Sequence, residues 1–307
     1  MTARRHAQRA RWFVLFAALV LLPVCASAQE LEPGAYWPLP RGLNIMTAVN
    51  SINWGDVTFD PALPVDDARA TINTTGVAFA RAFALAGRSA NASVMLPVTA
   101  GHVEGVYLGT FTEIGRFGLA DPRLKLAINL FGAPAMMPKE FASYRQRGIV
   151  GVSVTVAPPL GQYDSTKVIN LGSHRWSVRP ELGVSRTFDK WVLEMMFGMW
   201  LFTDNTNFLG SGTREQDPIV ATQVHVTYKF RQNMWLAADA NFYTGGRTTV
   251  NGRQNVDLQR NSRVGATFSK GLTRRQAIRM SVSRGAYTTI GADFTSIAFG
   301  YNFAWFP

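Results

Sequence analysis

Few residues in this 307-residue chain could do acid–base or nucleophilic chemistry, and their spacing argues against it. Beyond residue 28 the histidines are His102, His174 and His225, and none lies in a motif that specifies a nucleophile beside a base. No H-E-x-x-H, metal-spaced histidine cluster or phosphate-binding glycine motif occurs. No catalytic centre, metal site or cofactor is therefore expected. The single cysteine, Cys25, would be acylated in a lipoprotein, but Val24 stands where lipoprotein signals place a small residue. Cleavage after Ala28 leaves a mature chain without cysteine, which removes disulfides, thiolate metal ligands and a cysteine nucleophile.

The remaining polar candidates recur on every second residue. They are Lys125, Asn129, Arg179, Glu181, Glu194, Gln223, His225, Lys229, Asp239, Asn241 and Arg263. In "WVLEMMFGMWLF", Trp191, Leu193, Met195, Phe197, Met199 and Leu201 share one face, with Glu194 and Gly198 on the other. In "IVATQVHVTYKF", Val224, Val226 and Tyr228 oppose Gln223, His225, Thr227 and Lys229. Period two means β-strands, and these are about twice as long as the 5–6 residues usual in a soluble sandwich. A transmembrane strand needs ~9–11 residues, with apolar side chains toward lipid and polar ones toward an enclosed lumen. A charge turned to lipid costs roughly 2–4 kcal/mol at the midplane, so the polar set should line the lumen as candidates for solute binding. There it could pair acid with base across the interior, or present a ladder of cations to carboxylates or phenolates. Tyr163, Phe208, Arg214 and Arg247 fall in outer loops, where they could screen solutes at the mouth.

The elements that must position these residues number about twelve, near 43–54, 70–85, 90–100, 122–132, 148–158, 174–186, 190–203, 218–230, 233–244, 260–270, 276–286 and 293–305. Their connections alternate: "AGRS", "FDK" and "RQN" are tight, whereas "GDVTFDPALPVDDARA" and "GGRTTVNGRQNVDLQ" are long. Short periplasmic turns and long outer loops follow this rule. "APAMMPKEFASYRQRG" breaks it, and Pro138 at a first turn predicts a small periplasmic helix there. An open sheet cannot leave unpaired edges in lipid, so the expectation is an all-β, antiparallel up-and-down transmembrane barrel over residues 42–307. The last strand, with Ile297, Phe299, Tyr301, Phe303 and Trp305 on its lipid face, is the kind of signal that barrel-assembly machinery reads, although Pro307 follows the terminal aromatic.

Residues 1–28 read as a cleaved secretory signal, with Arg4, Arg5, Arg9 and Arg11 before an apolar run and Ala26-Ser27-Ala28 at the cleavage site. Residues 29–41, with Pro33, Pro38 and Pro40, read as an extended periplasmic lead-in. Cleavage lowers the formal charge from +11 to +7 by removing those four arginines. The remaining bases are scattered without a recognition stripe, so nucleic acid is not an expected partner. Membrane lipid, anionic lipopolysaccharide and a small-molecule solute are, and the oligomeric state is left open.

In order along the chain, "LPVDDARAT", "GLADPRLKLAINLFGAPA", "APPLGQYD", "RWSVRPELGVS", "WLFTDN", "YTGGRT" and "NSRVGAT" resemble the family called MetA-pathway of phenol degradation. The resemblance runs from Leu31 to the final strand. It implies an outer-membrane transporter barrel with uptake of small, aromatic compounds, and it supplies no catalytic or binding residues. The expected function is an outer-membrane channel or transporter for small aromatic or anionic solutes, against a structural or adhesive barrel with a plugged lumen and, further off, a barrel hydrolase.

Overall fold

The computed structural model describes residues 31–58, 65–107, 109–167, 169–231 and 233–307; the signal sequence and Cys25 lie outside them. In chain order the elements begin with β1 (Asn44–Thr58), β2 (Val65–Leu85), β3 (Arg88–Tyr107), β4 (Thr110–Leu119) and β5 (Arg123–Phe131). Helix α1 (Pro138–Ser143), β6 (Gly148–Ala157), β7 (Ser177–Phe188), β8 (Trp191–Phe202), β9 (Asn205–Phe208) and β10 (Gly212–Gln216) follow. The last are β11 (Ile219–Arg231), β12 (Met234–Gly245), β13 (Thr248–Val250), β14 (Arg253–Gln254), β15 (Gln259–Gly271), β16 (Gln276–Tyr287) and β17 (Gly291–Trp305). All pairings are antiparallel, and β1 against β17, from Asn44↔Trp305 to Thr58↔Gly291, closes a twelve-stranded barrel. These strands coincide with the expected ones to within five residues, except that β3 runs seven residues further, and the expected helix is α1.

Closure follows from the alternation. Leu182, Val184, Leu193, Met195, Phe197, Val224, Leu236 and Phe242 are exposed, while Glu181, Glu194, Gln223, His225, Asp239 and Asn241 between them are buried. A water-soluble sheet would hide the first set and show the second; here the outer face is apolar and the enclosed face polar. No helix of the described residues is long and apolar enough to cross a membrane, and the strands supply the crossing.

The structure adds strands that the alternation did not reveal. Residues 101–121, read as loop, continue β3 and turn into β4, paired from Val98↔Leu119 to Tyr107↔Thr110. Lower down, β3 pairs with β5 from Ala90↔Ile128 to Met95↔Arg123. Pro97 marks the place where β3 changes partner, since proline has no N–H to give to a continuous ladder. At 21 and 20 residues, β2 and β3 are longer than the hydrocarbon requires, so this hairpin rises past the membrane and β4 walls the outer mouth. The short strands β9, β10, β13 and β14 form a second sheet in the outer loops.

Candidate functional site

The inner wall is a set of lateral rows set by register. One runs Ser185, Glu194, His225, Asp239 and Gly265; the next runs Gly151, Gly183, Met196, Gln223, Asn241 and Arg263. Every residue of the sequence-predicted lumen set points into this interior. Asn129, Arg179, Glu181, Glu194, Gln223, His225, Asp239, Asn241 and Arg263 are buried, and Lys125 is 19% exposed at its side chain.

What they meet there differs from the expectation. The lead-in, read as lying outside the barrel, enters it, and residues 31–42 run along the inner wall. Lys125 Nζ stands 2.6 Å from Glu32 Oε2. The Glu32 amide donates to Gln223 Oε1 at 3.2 Å and the Gly34 amide to Glu194 Oε2 at 3.1 Å. Asn129 Nδ2 donates to the Tyr36 carbonyl at 3.0 Å. The Lys229 ammonium lies 4.2 Å from the Trp37 ring centroid, and Trp37 packs edge-on against Trp235 at 5.4 Å. Tyr36 is 3% exposed; its hydroxyl donates to Glu181 Oε1 at 3.0 Å and shares a hydrogen bond with Ser153 Oγ at 3.0 Å.

Two glycines make the space for that ring. Gly151 and Gly183 face each other across β6 and β7, and a Cβ on either would come within 2.3 Å of the Tyr36 ring. The lead-in has prolines and no periodicity, which made it look like solvated chain. The signal that could have placed it was the glycine pair on an inward face, an unfilled socket in a wall otherwise furnished with side chains.

The rest of the set pairs within the wall. Arg179 bonds Glu181, and its guanidinium lies over Trp200. His225 Nδ1 meets Asp239 Oδ1 at 2.7 Å, and Asp239 Oδ2 accepts from Thr267 Oγ1 at 2.7 Å. Among the described residues, His225 Nε2 has no hydrogen-bond partner. Arg263 reaches Ser283 Oγ, the Phe294 carbonyl and Ser296 Oγ. Asn241 is 2% exposed between Gln223 and Arg263 in register.

The segment does not fill the interior. Inward residues from Val192 to Trp200 of β8, Ile219 to Thr227 of β11 and Trp235 to Tyr243 of β12 are buried, whereas those of β1 from Ile45 to Asn53 and of β16 from Ala277 to Ser283 remain part-exposed, with Ala298 and Asn302 on β17. Arg279, whose guanidinium lies 5.2 Å from the inward-facing Trp235 ring, is exposed on this side. Arg279 was missing from the predicted set, although it shares its alternation with Ser281 and Ser283. At the outer end the same side is lined by an apolar cluster of Val57, Ala68, Ala70, Ile72 and Phe294.

The outer loops are latched to the barrel. Asp121 accepts from the Gly161 amide at 2.8 Å, the Ser173 amide at 2.8 Å and Ser173 Oγ at 2.7 Å. The crossing is tight: a Cβ on Gly161 would lie 2.7 Å from the Asp121 nitrogen, and one on Gly172 would lie 2.6 Å from Gly161 backbone. Tyr163 donates to the Asn207 carbonyl at 3.0 Å and accepts from Asn205 Nδ2 at 2.9 Å. Burial raises the Tyr163 pKa, so the hydroxyl keeps its proton. Phe208 and Arg214, proposed as screens at the mouth, are instead buried against each other. Burial brings Arg214 down to about 10, still protonated at neutral pH. Arg247 Nη1 donates to Gln254 Oε1 at 3.3 Å, on the outer sheet. Asp121, Gly161, Tyr163, Arg175 and Asn205 all come from the segments that carry the family resemblance, and they converge on this end of the barrel.

Residues 53–305 match the model of the family described as MetA-pathway of phenol degradation, and the chain belongs to that family. No curated protein matches it by sequence. Among solved structures it is similar to the COG4313 outer membrane channel from Pseudomonas putida F1, at 19% identity over 90% of this chain and 100% of that one, with a TM-score of 0.74. It is less similar to the β domain of the Bordetella autotransporter BrkA (12%, 85% and 99%, 0.48) and to the NanC porin (7%, 84% and 98%, 0.45). The fold shared with the COG4313 channel is that of an outer-membrane barrel, and the outer membrane, with its lipid and lipopolysaccharide, is where this chain resides.

Proposed function

We propose that the protein is a passive outer-membrane channel for the uptake of small aromatic or anionic solutes, restricted from within by its own N-terminal segment. The observation that carries this reading is the unequal interior: residues 31–42 pack on the β5–β12 side, and the β16–β17–β1 side keeps part-exposed polar side chains with Arg279 among them. A wall of this kind lets a solute exchange water for hydrogen bonds, and its cations favour anions. Membership in a family named for phenol degradation, and a fold shared with a protein described as a channel, support the same reading. The solute and the barrel-assembly machinery, which would read the aromatic face of β17, are the further partners.

A second reading is a structural barrel whose lumen is stoppered, and the buried Tyr36 socket favours it. Planar-bilayer recording separates the two. The channel reading expects conductance from the intact protein, raised by Tyr36→Ala. Silence from both proteins, each correctly folded, would leave only the stoppered barrel.

A further inference from the structure

On the outer end, between β4 and the connection 158–176, a cleft of about 700 Å³ opens to the outside. That size suits a small organic ligand rather than an ion or a polymer. One wall is aromatic: the Tyr163 and His174 rings stack with centroids 4.6 Å apart and planes 17° from parallel. His174 reaches this position from a left-handed backbone, φ +52°, which non-glycine residues adopt only where surroundings enforce it. Tyr163 is fixed by its hydrogen bonds to Asn205 and Asn207. Phe117 and Leu171 add apolar surface.

The charged lining is basic on balance. Arg116 is planted in the wall, with Nε donating to the Ile169 carbonyl at 2.9 Å and Nη1 to the Gly115 carbonyl at 2.8 Å. Lys167 is half-exposed and 3.1 Å from Asp164. Asp164, the one carboxylate of the lining, already accepts from the Thr166 amide at 3.0 Å and Thr166 Oγ1 at 2.6 Å. Those bonds and Lys167 hold its pKa down to about 2. Asp164 is thus bonded within its own loop with Lys167 as its ion-pair partner, and Arg116 is the second cation of the lining.

We propose that this cleft is a capture site for a small aromatic carboxylate, which stacks on the Tyr163–His174 wall and sets its anionic group toward Arg116 and Lys167. A neutral aromatic alcohol would leave the cations unanswered, and an aliphatic acid would forgo the ring contact. The site rests on the reading of the barrel as an uptake channel, for which it would concentrate solute at the mouth.

The test is calorimetric titration of the detergent-solubilised full mature protein with benzoate, cyclohexanecarboxylate and benzyl alcohol. Benzoate should bind tighter than either comparison compound, by roughly 2- to 10-fold over the aliphatic acid, the range expected of one aromatic pair. Lys167→Glu, a change at a solvent-reaching side chain, should weaken benzoate at least about threefold and leave benzyl alcohol unchanged. Tyr163→Leu should erase the preference for benzoate over cyclohexanecarboxylate, whereas Tyr163→Phe, which keeps the ring, should retain it. No benzoate binding, or equal binding by Lys167→Glu and Tyr163→Leu, overturns the proposal. Chloride conductance recorded on the same preparations keeps the two readings apart. Conductance without benzoate binding removes the cleft and leaves the channel; benzoate binding without conductance supports the cleft and removes the channel.

Discussion

Gly183 has no side chain, and the Tyr36 ring stands where one would be. A Cβ there would lie 2.2 Å from a ring carbon, closer than any packed contact, so Gly183→Val should force Tyr36 out of its socket while the barrel stays closed. The measurement is single-channel conductance, expected to rise. Tyr36→Ala reaches the same end from the other partner: truncating a buried aromatic costs roughly 3–5 kcal/mol of local packing, here taken from the attachment of the segment. If neither variant changes conductance, the segment is not the restriction. Arg279 offers an independent residue-scale check, because it is exposed toward the bore. Glu32, Glu181, Glu194 and Asp239 offset Lys125, Arg179, Lys229 and Arg263, so the expected anion preference is modest. Arg279→Glu should shift the reversal potential in a potassium chloride gradient toward cation preference.

Among the elements, the connection 158–176 depends on one carboxylate. Asp121→Ala removes three hydrogen bonds to an ionised acceptor, a loss of about 3 kcal/mol once non-additivity is allowed for. The loop should open, and trypsin should cut after Lys167 faster than in the parent protein. Asp164, within the same loop, sets the opposite expectation for acid. Its pKa is below the ordinary 3.8, so its support is present above about pH 4 and is lost as pH falls through about 2. Tryptic cleavage at pH 5 and at pH 7, corrected for enzyme activity, should therefore find the same loop. For the strands, Met195→Arg places a cation on the lipid face of β8 and should destabilise the barrel by roughly 2–4 kcal/mol, read by urea unfolding in vesicles.

At the scale of the whole molecule, the barrel and its occupant are separate pieces of information. The strands repeat a two-residue code through more than 200 residues, and each repeat states which face meets lipid. That code was legible: Glu194 beside Leu193 and Met195, or His225 beside Val224 and Val226, can be assigned inward from neighbours alone, because the cost of a charge in hydrocarbon is local. The helix α1 was legible for a similar reason, through Pro138. Of the expected lumen set, Lys125, Asn129, Glu181, Glu194, Gln223 and Lys229 are engaged by the segment 31–42 rather than open to solvent. Mature protein without detergent should aggregate through the exposed Leu, Met and Phe band, and a monodisperse detergent-free sample would contradict the outward-facing assignment.

By itself the sequence determined the number of barrel strands, the inside and outside of those strands, and the membrane the chain lives in, because alternation, length and turn spacing are properties of neighbouring residues. The course of residues 31–42 through the interior, the outward reach of β3 and β4, and the meeting of Tyr163 with His174 and Asn205 were decided by the tertiary structure. Those arrangements join residues that are distant along the chain, and they exist only after closure has created an interior for Tyr36 to enter and a rim for the loops to cross.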